Sequence, residues 1–153
     1  MSEIEECITI DESLIKNNIV FEVDGKPFGK QRPKFSRRGR FITTYTPAET
    51  VAYEKKVKDS YRTKYGKYKL NSPIQAGIVA LYPIPINTSN RKRKLMLERK
   101  ILPQVKPDTD NIAKAILDPL NKLAYEDDAH VVKLNIEKYY SEEPKVIVRL
   151  KEV

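Results

Sequence analysis

Lys106-Pro107-Asp108-Thr109-Asp110-Asn111-Ile112-Ala113-Lys114-Ala115-Ile116-Leu117-Asp118-Pro119 runs from an extended approach into an amphipathic helix. Pro107 biases Lys106 toward extended geometry, in which residues two apart project to the same side, so Asp108 and Asp110 are expected to point together. Asp110 is also placed to cap the helix that follows. In that helix Ile112, Ala113, Ile116, Leu117, Leu120 and Leu123 gather on one arc, and Asn111, Lys114 and Asp118 fall on another. Pro119 cannot donate to the helical ladder and clashes with the turn before it, which predicts a kink or break near Asp118.

Downstream of this stretch comes a second acidic run, Glu126-Asp127-Asp128, and then clean alternation. Val132, Leu134 and Ile136 face one way while Lys133, Asn135 and Glu137 face the other. Ser141-Glu142-Glu143-Pro144 turns the chain, and Val146, Val148 and Leu150 repeat the pattern, which predicts a terminal hairpin. Upstream, Thr88-Ser89-Asn90 can cap a short helix that opens with Arg91, Lys92, Arg93 and Lys94, four cations set against the helix macrodipole. Such a turn is either a solvated charged face or a surface answered by an anion. Ile74 to Tyr82 is apolar on both parities, as a central strand covered on both faces would be.

Thr46-Pro47-Ala48-Glu49 has a capping-box residue at each end and predicts a helix start. That helix carries Tyr53, Val57, Tyr61 and Tyr65 along one face, expected as core or dimer surface rather than a base-stacking platform. Ile19-Val20-Phe21-Glu22-Val23 reads as a strand closed by Asp24-Gly25. A loop is expected from Lys26 to Arg40, with seven cations, Lys26, Lys30, Arg32, Lys34, Arg37, Arg38 and Arg40, no acid, and Phe28 and Phe35 interleaved. It is the best phosphate-contacting candidate in the chain. Strand, helix, strand, helix, helix and hairpin in that order argue for an α/β domain, a mixed β-sheet flanked by helices.

The chain has 153 residues, which fits one domain. Glu3, Glu5, Glu6, Asp11 and Glu12 against Lys16 give residues 1–18 a sum of −4, so of the net +8 the remainder, 19–153, carries +12. The division expected is an acidic N-terminal arm over 1–18 and a basic domain over 19–153. A field of that sign attracts polyanions, of which nucleic acid is the commonest in the cytosol. The acidic start does not resemble a secretory signal and no apolar run is long enough to span a bilayer, so a cytoplasmic protein without membrane attachment is expected. Cys7 is the lone cysteine and His130 the lone histidine, which excludes an internal disulfide and a Cys/His zinc site.

Adjacent carboxylates facing one spot repel unless a cation or proton lies between them, and Mg²⁺ takes one or two carboxylates together with water and phosphate. Asp127 and Asp128 could close such a site with Asp108 and Asp110. Taken separately, the first pair could merely shape a helix start and the second could be a wet turn. In a strongly basic body the two together suit a phosphodiesterase, with cations to draw the backbone in and carboxylates to hold a metal against it.

The run Lys106 to Asp118, followed by Tyr125-Glu126-Asp127-Asp128-Ala129-His130-Val131-Val132, resembles the signature of the RusA-like Holliday junction resolvases. Gly25-Lys26-Pro27 through Lys30-Gln31-Arg32-Pro33-Lys34-Phe35 with Tyr45-Thr46-Pro47 resembles that family's basic N-terminal loop, and Arg91 to Lys100 its basic helix. The resemblance covers residue 19 onward and departs at Pro119, where the family more often continues the helix. It implies a homodimeric α/β endonuclease that binds four-way junctions and makes paired nicks with Mg²⁺, for which Mn²⁺ is a substitute. It assigns Asp108, Asp110, Asp128 and Lys114 as catalytic, with the aspartates and Asp127 as metal ligands. Two other readings stay open: a nuclease for other branched or flapped DNA, and a non-catalytic DNA-binding subunit, against which stands an acidic set with no member missing.

Overall fold

The computed structural model describes residues 18–153, so the acidic arm, apart from Asn18, lies outside the described residues. The chain runs β1 (Ile19–Asp24), β2 (Lys34–Arg38), β3 (Phe41–Tyr45), α1 (Ala48–Tyr65), β4 (Ile74–Pro83), α2 (Asn90–Leu97), α3 (Thr109–Leu117), β5 (Val131–Ser141) and β6 (Lys145–Glu152). Short 3₁₀ turns occupy Asp118–Leu120 and Asp128–His130. This is an α/β domain with a mixed sheet in the order β1-β6-β4-β5, where β4 and β5 run parallel and the other pairs antiparallel.

The alternation in β1, β4 and β6 decides where the core forms. Ile19, Phe21 and Val23, then Ile74, Ala76, Ile78, Ala80 and Tyr82, then Val146, Val148 and Leu150 are all buried on one face of the sheet. Against them pack Tyr53, Val57 and Tyr61 of α1 and Ile112 and Ile116 of α3, in a single cluster. Phe21 meets the Tyr61 ring edge-on at 5.6 Å. Tyr65 is half-buried, and its hydroxyl donates to Val20 O and accepts from Val20 N–H. The tyrosine stripe is therefore core, and the spare apolar face that could have met a symmetry mate is consumed within the chain.

Four expectations are corrected. Helix α1 begins one residue late, at Ala48, with Pro47 as cap residue and no side-chain cap bond. Glu49, the reciprocal partner a capping box needs, instead accepts from Gln31 Nε2 at 3.1 Å. A lost cap costs about 1 kcal/mol, and each fully buried large apolar side chain returns about 1.5–3 kcal/mol, so packing holds the helix without it. Strand β4 is central but covered on one face, since Gly77, Val79 and Leu81 remain half-exposed on the other.

The last two strands do not form a hairpin. β4 lies between them, and the chain passes over its end near Pro83. Alternation is the same for two strands that pair with each other and for two that flank a third, so the pattern could not distinguish the cases. Finally, the second half of the basic loop folds as the β2–β3 hairpin, turned at Gly39 with φ 60°. A break at Pro119 does occur: α3 stops at Leu117 and the chain tightens into the 3₁₀ turn with Pro119 buried.

Candidate active site

Helix α3 starts at the acidic motif, but its cap residue is Asp108, not Asp110. Asp108 is extended at φ −72° and ψ 159°, and Asp110 sits in the first helical turn. The two-residue period of an extended segment therefore does not relate them. Both carboxylates lie close enough to Lys106 to hold its ammonium above the usual lysine range, Asp108 foremost through a 2.8 Å ion pair. Anchoring of the approach comes from Tyr82, whose hydroxyl donates to Pro107 O at 2.7 Å.

Asp110, Lys114 and Asp118 stand four residues apart, which places them on one helical stripe. They line one cleft of about 290 Å³ together with Lys30, Gln31, Arg32, Pro33 and Asn111. The second acidic run meets this stripe at Asp118, whose carboxyl is within hydrogen-bonding reach of Asp128. Asn121 Oδ1 accepts from the Asp128 backbone N–H at 2.8 Å, and Asp127 Oδ1 accepts from Ala129 N–H at 3.0 Å, so the 3₁₀ turn carrying both aspartates is fixed at each side. Glu126 faces away: Lys122 and Lys69 clamp it and hold its carboxyl down at about 2.

Asp127, burial and Asp118 together push the Asp128 carboxyl up to about 6, whereas the Ala129 N–H holds Asp127 below the usual range. Crowded carboxylates of this kind call for a cation. Among the described residues no three Asp, Glu, His or Cys side chains form a ready metal-holding group. Oxygen donors from one or two carboxylates, with room for water and phosphate, nevertheless suit Mg²⁺, which seldom takes an all-protein cage.

A pH dependence follows. The folded-state value of Asp128 lies above its unfolded value, so its contribution to stability is complete below about pH 4 and lost as pH rises through about 6. Asp127 moves the opposite way, and its contribution fades only below the ordinary carboxylate range. A divalent cation favours the ionised pair, so melting curves should show Mg²⁺ stabilisation at neutral pH that shrinks at about pH 5. Equal stabilisation at both would remove Asp128 from the site.

The basic loop divides into two parts. Residues 26–33 are anchored: Phe28 stacks on Tyr53 at 5.0 Å, and Lys30 Nζ reaches Asp118 Oδ2 at 2.7 Å. Lys34, Arg37, Arg38 and Arg40 stand in the open on the hairpin, alongside Phe35 and Phe41, which are 73% and 77% exposed. On α2 the Ser89 hydroxyl caps Lys92 N–H, Arg93 pairs with Glu142 at 3.0 Å, and Arg91, Lys92 and Lys94 are exposed. Of the site residues, sequence reasoning missed Asp118, although its four-residue spacing from Lys114 and Asp110 was the available signal. It also placed Lys30 among the phosphate contacts, where the structure turns its ammonium inward.

Carboxylates at the floor of a cleft whose lip is cationic describe a protein that handles the nucleic-acid backbone. The chain belongs to the RusA endodeoxyribonuclease family, whose profile, described as Endodeoxyribonuclease RusA, matches residues 24–151. Members of this family are divalent-metal-dependent nucleases that act on branched DNA junctions. The chain is also 35% identical over 137 residues to the uncharacterized protein YqaN of Bacillus subtilis (strain 168), covering 88% of this chain and 96% of that protein. No helix among the described residues is long and apolar enough to cross a membrane.

Proposed function

We propose that this protein is a Mg²⁺-dependent endodeoxyribonuclease that resolves Holliday junctions by paired nicking, in DNA recombination and repair in the cytoplasm. The observation that carries the reading is the single cleft in which Asp110, Lys114 and Asp118 meet Lys30 and Arg32 of the basic loop. Asp108, Asp110 and Asp128, with Asp127 beside them, are the residues that would hold the cation. When bound, Mg²⁺ (or Mn²⁺ in its place) lowers the pKa of a coordinated water and polarises the phosphoryl oxygen. Arg32 and the hairpin cations bind the backbone. Lys114, exposed on the cleft wall, offsets charge that builds on the phosphate during attack.

The test is cleavage by purified protein of a four-way junction beside a flap and a plain duplex, with and without Mg²⁺. Paired nicks on the junction alone, and only with the metal, are expected. Preferential cutting of the flap would transfer the activity to other branched DNA, and binding without cutting would leave a DNA-binding subunit.

Paired nicking calls for two sites related by a two-fold axis, and a homodimer supplies them. With the tyrosine face buried, β5 is the better candidate for the interface. It is an edge strand, Val132 is the extra residue in the irregular register at its start, and Val132 and Leu134 are 59% and 47% exposed. An open apolar edge of this sort invites pairing with a second copy. Leu134→Lys should shift the sedimenting species from dimer to monomer and leave single nicks; an unchanged dimer would place the interface elsewhere.

A further inference from the structure

Among the cations of the basic loop, Lys30 is the one whose ammonium lies against the acidic cluster. Its Nζ is 2.7 Å from Asp118 Oδ2 and 3.8 Å from Glu54 Oε1 on α1. The loop that carries it is held against the start of α3 by two further contacts. Lys30 N–H donates to Asn111 O at 3.4 Å, and a Cβ on Gly29 would stand 2.7 Å from Pro107 Cβ and 3.3 Å from Asn111 Cβ. Only glycine lets the loop approach that closely. Asp118 in turn lies within hydrogen-bonding reach of Asp128.

These contacts form a chain from the loop through Lys30 and Asp118 to Asp128. We propose that Lys30 is a positioning residue of the metal site and not a phosphate contact: through Asp118 it sets the Asp128 carboxyl, and it ties the DNA-gripping loop to the place where the cation binds. This rests on the nuclease reading above. Without Lys30, Asp118 and Asp128 confront each other with no cation between them, and like charges at that range move apart. Lys30 thus plays the part that partners behind a metal ligand commonly play, holding the ligand's direction without touching the metal.

The test separates metal binding from DNA binding. Mn²⁺ is titrated into the DNA-free protein and followed by the paramagnetic signal of the free ion, and junction binding without divalent cation is measured across salt concentrations. Lys30→Met should weaken Mn²⁺ binding by about tenfold, the lower end of what loss of such a partner costs. The salt slope of junction binding should stay unchanged, and Lys30→Arg should recover most of the Mn²⁺ affinity. Lys30→Gln carries the same expectations should Lys30→Met not fold.

Unaltered Mn²⁺ affinity in Lys30→Met, or a salt slope reduced by about 0.9, would overturn the proposal and make Lys30 a phosphate contact. Failure of the unaltered chain to bind Mn²⁺ at all would instead overturn the nuclease reading, and the proposal with it.

Discussion

Asp110→Asn and Asp128→Asn chains should bind a four-way junction as the unaltered protein does and leave it uncut. Asparagine keeps the size and shape of aspartate and removes the charge that a hard cation requires. Asp110 is exposed in the first turn of α3 and Asp128 is half-buried on its 3₁₀ turn, so neither change opens a cavity. The hairpin and α2 cations are untouched. Removal of a single stabilising group at a reacting centre costs about 10²–10³ in rate, and loss of a metal ligand should reach at least the upper end. Initial nicking rates on a labelled junction, beside a gel-shift titration without divalent cation, measure the two quantities separately. Wild-type cutting by either variant would rule that residue out as a ligand.

The second large effect concerns affinity. Replacing Lys34, Arg37, Arg38 and Arg40 together with Ala should lower junction binding by about 10²–10³ near physiological salt, since every phosphate left unneutralised takes about 0.9 from the slope of log K against log salt. All four are exposed and lie in or beside a two-stranded ribbon that shares no hydrogen bonds with the main sheet, so the core should survive. The melting temperature should hardly move. At saturating protein the nicking rate should recover, because the acids remain in place. A slope unchanged by four substitutions would move the DNA surface to α2.

The sequence disclosed the chemistry more fully than the architecture. Ile112, Ile116 and Tyr53 to Tyr61 announce buried helix faces by their spacing, and the break at Pro119 follows from proline's missing donor. Strand order was not legible: whether Val146 to Leu150 pairs with β5 or with β4 depends on contacts far apart in the chain, to which a two-residue period is indifferent. The same holds inside the site. Asp110 and Lys114 were visible as neighbours on one helix. That Lys30 would cross to Asp118 depends on how a loop more than eighty residues upstream is laid down, and Gly29, which permits it, reads in sequence like any other turn residue.

Among the described strands, β1 pairs with β6 alone, and β4 with β5 and β6. A ribosome therefore delivers the first strand of the sheet long before its partner exists. Such non-local pairing is slow, because the loop it closes must be ordered before any contact rewards it. The nascent chain displays its whole complement of DNA-attracting cations while the sheet is still open and the turn bearing Asp128 is unsupported by β5. Birth of the enzyme and birth of its activity are thus separated: a chain caught on nucleic acid during synthesis can hold it but has no assembled centre with which to cut.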